Sequence, residues 1–119
     1  MENSSIPVTT EVLDFSRLKE LFGDDNATIQ KLFDTFVTST APLLAELDKT
    51  IIATDFASTR ALAHQLAGAA ANLGAQRMHL IARELENASG EYLSNQCHTL
   101  YDELSVAFIE VCKVVSSTK

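Results

Sequence analysis

The sequence predicts an all-α fold: an antiparallel up-down-up-down four-helix bundle with a short extra helix at its N-terminal end. Three observations carry this. Apolar residues recur at alternating steps of three and four along four long stretches, the spacing that gathers them on one face of a helix. The connections between these stretches are short, so consecutive helices must lie side by side and antiparallel. No stretch alternates apolar and polar residues as a half-buried strand would, and no hairpin turn competes. The chain has 119 residues, 46% of them hydrophobic, with four Gly and two Pro; that suits one globular domain able to bury a core.

Residues 1–12 carry Ser, Thr and Pro without periodicity and read as a flexible lead or linker. In "DFSRLKELFG", Asp14 is a possible N-cap and Gly23 a stop, which makes a short helix. "DDNATIQKLF" restarts a helix capped by Asp25 or Asn26. Its stripe runs Ile29, Phe33, Phe36, Thr40, Leu43, Leu47 and Ile51. Pro42 interrupts the hydrogen-bond ladder by freeing the carbonyl of Thr38. The stripe keeps its phase across Pro42 and so reads as one kinked helix, the alternative being a break near Thr40. Thr54 and Asp55 form a tight connection, with Asp55 able to cap the next helix, which Gly74 ends. Met78, Ile81, Ala82 and Leu85 then mark a helix of about 15 residues stopped by Gly90. Leu93, Cys97, Leu100, Leu104, Ala107 or Phe108, Val111 and Val115 mark the last helix. The bundle therefore spans 13–116, followed by a tail of residues 117–119.

The net charge is −7, with acids spread along the chain. Nucleic acids and anionic membrane surfaces both demand a basic patch, so neither is an expected partner. No apolar run approaches the ~18 residues of a membrane span. "MENSSIPVTT" lacks the basic and apolar blocks of a secretory signal, so a cytoplasmic, monomeric protein is expected. Cys97 and Cys112 share one helical segment; a separation of about 22 Å puts them beyond disulfide reach, as free, half-buried thiols.

The stretch "AHQLAGAAANLGA", residues 63–75, is where chemistry enters. On a helical wheel with Leu62 at zero, Leu66, Ala69, Ala70 and Leu73 fall within about 80° and form the expected core face. His64 falls at about 200°, with Arg60, Ala67, Ala71, Ala57 and Gly68 around it. An ordinary wet face would carry Lys, Glu and Gln. This one is stripped to methyls and a hydrogen. Gly68 stands one turn beyond His64 although glycine inside a helix costs about 1 kcal/mol relative to alanine. Small residues around an exposed imidazole suit a second protein approaching closely. By contrast, His79 groups with Arg83 and Glu86 on a polar face, and His98 lies off the core stripe near Asp102; both read as solvated.

The stretch resembles the histidine-containing phosphotransfer (HPt) domain of multistep two-component phosphorelays. The family pattern is roughly His-x-Leu-Lys-Gly, two small residues, then an apolar residue and Gly. His64, Leu66, Gly68, Ala69, Ala70, Leu73 and Gly74 match in register, with Ala63 before the histidine; Asp55 and Leu85–Glu86 also fit. The likeness in helical layout extends from about residue 13 to 115, its specific part being the dozen residues around His64. The resemblance implies that His64 accepts a phosphoryl group from an aspartyl phosphate on one response-regulator receiver domain and passes it reversibly to another. It implies a phosphocarrier without kinase activity of its own, free-standing or part of a hybrid sensor kinase. No cofactor is expected on this chain, and Mg²⁺ is expected on the receiver. A neutral imidazole nitrogen is a competent nucleophile near neutral pH. Ala57, Ala61, Gly68 and Ala71 would form the receiver-docking surface. The chain departs from the pattern at Ala67, where the family has Lys near the phosphate. Arg60, one turn before His64, is the expected substitute cation, with Gln65 helping from the side and Ala67 lying beside the phosphate.

Two other classes are weaker. A non-catalytic helical module could bind a partner through the Ala/Gly face around His64. An enzyme or metalloprotein would need features absent from the sequence: no two histidines pair at i,i+4, no Gly-rich nucleophile elbow exists, and no nucleotide-binding glycine loop is present.

Overall fold

The structure, a computed structural model, describes residues 12–117. They form five helices: α1 (Phe15–Phe22), α2 (Asn26–Ile52), α3 (Phe56–Leu73), α4 (Gln76–Gly90) and α5 (Ser94–Ser117). No strand occurs among the described residues. The lead expected over 1–12 lies outside them except for Val12, which packs half-buried against the core. Of the expected tail, Ser117 closes α5 and residues 118–119 lie outside.

The helix starts follow their caps. Asp25 accepts a hydrogen bond from the Thr28 backbone N–H at 3.1 Å and another from the Thr28 hydroxyl. Asp55 accepts from the Ser58 N–H at 3.1 Å. α2 runs unbroken through Pro42, as the phase of its stripe requires. Thr38 is exposed, so water can satisfy the carbonyl that Pro42 abandons. Gly74 ends α3 at φ 84°, in the left-handed region. A Cβ there would also meet the Asp14 carbonyl oxygen at 3.1 Å. That close approach is used: the Asp14 N–H donates to the Gly74 carbonyl at 2.7 Å, clasping the start of α1 to the α3–α4 turn.

The expected stop at Gly90 holds, but glycine does not make the turn. Gly90 is the last residue of α4 and has no positive φ; the reversal is made by Tyr92, at φ 59°. Its ring stacks edge-on against Phe56 of α3, centroids 5.4 Å apart, an aromatic contact that helps offset the cost of a left-handed non-glycine residue.

Connections of two or three residues force consecutive helices into antiparallel contact. α3 packs between α2 and α4, and α5 closes the ring against α4 and α2. The core holds Phe33, Phe36, Leu47, Leu66, Met78, Leu85, Leu100, Leu104 and Val111. Two buried hydroxyls join α2 to α3: Thr50 donates to the Leu47 carbonyl at 3.0 Å, and the Thr59 oxygen lies 2.9 Å from that of Thr50. With 27 and 24 residues, α2 and α5 are about 40 and 36 Å long and extend well past the shorter pair. That pair, α3 and α4, presents the face carrying His64. Cys97 is buried and Cys112 half-buried, both as free thiols; burial pushes both thiols above their ordinary value.

The caps make acid stability testable. Hydrogen bonds from the Thr28 side chain and backbone hold Asp25 below its ordinary value of 3.8, and those from Ser58 do the same for Asp55. A carboxylate lowered by folding contributes stability in full above its unfolded value and loses it as pH falls through the folded one. Urea unfolding should therefore show stability declining below about pH 4. Asp25→Asn with Asp55→Asn keeps both caps but removes their titration, and its acid decline should be shallower. An unchanged slope would show that these two carboxylates contribute nothing to the acid decline.

Candidate functional site

His64 projects from the middle of α3 with its side chain 76% exposed, and its Nδ1 lies 3.0 Å from Oε2 of Glu86 on α4. Glu86 is only 17% exposed at the side chain, which gives the imidazole a fixed partner. An ionised carboxylate can only accept, so Nδ1 carries the proton and donates. In the neutral ring the lone pair then sits on Nε2, on the side of the imidazole away from Glu86.

Helical register brings the two residues together. α3 and α4 run antiparallel about Ala75: His64 stands eleven residues before it and Glu86 eleven after. Arg60 and Gly90 are fifteen residues to either side, and the Arg60 guanidinium carbon lies 3.8 Å from where a Gly90 Cβ would be. Ala67 and Arg83 stand eight to either side. Arg83 Nε lies 3.8 Å from Oε1 of Glu86.

The core face of α3 is rotated from the one its leucines suggest. Thr59, Ala63, Leu66, Ala67, Ala70 and Leu73 are buried, whereas Leu62 and Ala69 are only half-buried. These six centre roughly 70° round the wheel from Leu62. His64 therefore leans toward α4 instead of pointing straight out, which is why Glu86 reaches it.

That rotation settles where the expected site residues lie. Ala57, Ala61 and Gly68 are exposed and Ala71 half-buried. A Cβ on Gly68 would meet nothing within 4 Å, so internal packing does not require this glycine. Gln65 is exposed about 100° round the helix from His64. Arg60 is exposed on the α4 side. Ala67 is 2% exposed; its methyl faces the bundle interior, and it is not on the open surface beside the imidazole as expected.

His79 also departs from its expected solvated state. It is half-buried, and its Nδ1 bonds the Ala67 carbonyl at 2.9 Å, tying α4 to α3. His98 is exposed on α5, as is Asp102. Sequence reasoning grouped Glu86 with His79 and missed its contact with His64. The signal was available in the register about the Gly74–Ala75 turn, which places Glu86 and His64 at one level.

Among the described residues no group of three or more His, Cys, Asp and Glu is arranged to hold a metal ion, and no helix is long and apolar enough to cross a membrane. The family model described as Hpt domain matches residues 31–108, a span holding His64, Gly68, Arg83 and Glu86. The fold is similar to the crystal structure of histidine-containing phosphotransfer protein B (HptB) from Pseudomonas aeruginosa. The TM-score is 0.81 at 24% sequence identity, covering 92% of this chain and 96% of that one. Comparison with curated proteins gives no match.

Proposed function

The chain belongs to the Hpt domain family, and from that premise we propose that it is a phosphorelay intermediate whose His64 takes a phosphoryl group from one receiver domain and gives it to another. One observation carries the reading. Nδ1 of His64 lies 3.0 Å from the Glu86 carboxylate; donating there would leave Nε2 as the nucleophilic nitrogen on a face of small side chains.

The chemistry follows from that arrangement. The Nε2 lone pair attacks the phosphorus of a receiver aspartyl phosphate. The N–P bond forms as the P–O bond to the aspartate breaks, and the bonding pair leaves on the aspartate carboxylate. The ring becomes a phosphorylated imidazolium whose remaining proton still faces Glu86, and the carboxylate stabilises the positive charge. Release of that proton gives a neutral ring that holds the phosphoryl group more firmly. Its return makes the ring a better leaving group for transfer onward. Transfer of this kind is largely a matter of positioning and charge. In this reading Mg²⁺ is supplied by the receiver, and on this chain Glu86 serves the ring of His64. In this reading the carrier needs no nucleotide and no kinase activity of its own, since the receiver brings the phosphoryl group.

Glu86→Ala should slow phosphorylation of His64 by roughly tenfold, equivalent to ~1.4 kcal/mol, because the ring loses its orientation and its counter-charge. Helix content should be unchanged and Glu86→Gln intermediate. A wild-type rate in Glu86→Ala would remove Glu86 from the mechanism. The function itself is tested with a radiolabelled phospho-receiver from the same organism and a second, unlabelled receiver. Label should pass to this chain and then to the second receiver. A chain that binds receivers yet takes no label would instead be the non-catalytic interaction module.

A further inference from the structure

We propose that Arg83 is the cation that neutralises the phosphoryl group on His64, supplied from α4 in place of a lysine at position 67; this rests on His64 being the phosphoacceptor. Ala67 supplies no charge: its methyl is 2% exposed, and its carbonyl is engaged by His79. Arg83 stands at the level of Ala67 on the neighbouring helix, eight residues past Ala75 where Ala67 is eight before it. The same axial position is therefore served from the facing helix.

The contacts of Arg83 fit a group held ready for another partner. Its Nε is 3.8 Å from Oε1 of Glu86, while the other oxygen of that carboxylate contacts His64 at 3.0 Å. The first distance is an ion pair but too long for a hydrogen bond. Oε1 of Glu86 is itself buried without a hydrogen-bond partner. The Arg83 side chain is 59% exposed, so charge keeps it near Glu86 while its donors remain free to turn.

Phosphorylation changes the balance at this point. A phosphoryl group brings roughly two negative charges at neutral pH beside a carboxylate that is already negative. A guanidinium presents five N–H donors in a planar fork. One edge can stay on Oε1 of Glu86 while another takes phosphoryl oxygens, so a single residue offsets both groups. Arg60 lies on the other side of the pair, its guanidinium laid against α4 at Gly90, and serves as the comparison.

The test phosphorylates the whole protein with a phospho-receiver and follows the phosphohistidine by ³¹P NMR across pH. In Arg83→Ala and Arg83→Gln the midpoint of the phosphoryl titration should rise by roughly half a pH unit, since a nearby cation favours the dianion. Transfer from the receiver should slow roughly fivefold. Arg83→Lys should recover most of the midpoint, and Arg60→Ala should leave it near wild type. A purely structural arginine would move stability and leave the midpoint alone. A labelled Arg83→Ala or Arg83→Gln protein with the wild-type midpoint, or a shift seen in Arg60→Ala instead, overturns the assignment while the carrier reading stands. A wild-type chain that takes no label at His64 overturns both.

Discussion

His64→Gln should take no phosphoryl label from any receiver, whereas His79→Gln and His98→Gln should be labelled like the wild type. The loss is complete because glutamine keeps size and polarity but has no nucleophilic nitrogen; its amide lone pair is delocalised into the carbonyl. The fold should not notice, since the imidazole is 76% exposed and lies outside the buried set of α3. His79→Gln separates structure from chemistry. It disturbs the bond to the Ala67 carbonyl, with a stability cost of about 1 kcal/mol, yet removes no phosphoacceptor. His98 is exposed on α5, off the α3–α4 face. Full labelling of His64→Gln would mean that another residue carries the phosphate.

Gly68→Arg should transfer at least roughly thirtyfold more slowly, equivalent to about 2 kcal/mol of lost docking, without loss of thermal stability. Glycine inside a helix costs about 1 kcal/mol, and nothing in the fold repays it: the space where its Cβ would lie is open. The beneficiary is then outside the chain. Gly68 lies one turn from His64 and further round from α4, so a long side chain there would stand where the proposed phosphotransfer brings the receiver. Gly68→Ala separates the two effects. It should raise the unfolding free energy by about 1 kcal/mol, with a smaller loss of transfer than Gly68→Arg. Melting curves and transfer rates should therefore move independently. A Gly68→Arg protein that exchanges phosphate normally would place the receiver elsewhere, and one that unfolds would return the glycine to internal packing.

Features that depend on one helix at a time were legible in the sequence. The stripe through Pro42, the Asp25 and Asp55 caps and the left-handed Gly74 are each decided by a few neighbouring residues. Misreadings arose where two helices meet. Leu62 drew the centre of the α3 core toward itself because leucines dominate any apolar count. Yet Ala63, Ala67 and Ala70 are buried with Leu66 and Leu73, and small residues let helix backbones approach closely. Placing Ala67 inside and leaning His64 toward Glu86 are two consequences of that one rotation. The end of α4 at Gly90 was legible too, but the residue that reverses the chain after it was not. Glycine is the usual left-handed residue, but Phe56 of α3 packs against Tyr92 and lets the tyrosine take that conformation two residues later.

The most direct measurement is nitrogen–phosphorus correlation by NMR on ¹⁵N-histidine-labelled protein phosphorylated by a phospho-receiver. One phosphorylated ring is expected, that of His64, with phosphorus coupled to Nε2 and with Nδ1 on the side of Glu86. Phosphorus coupled to Nδ1 of His64, or to a ring nitrogen of His79 or His98, would contradict it.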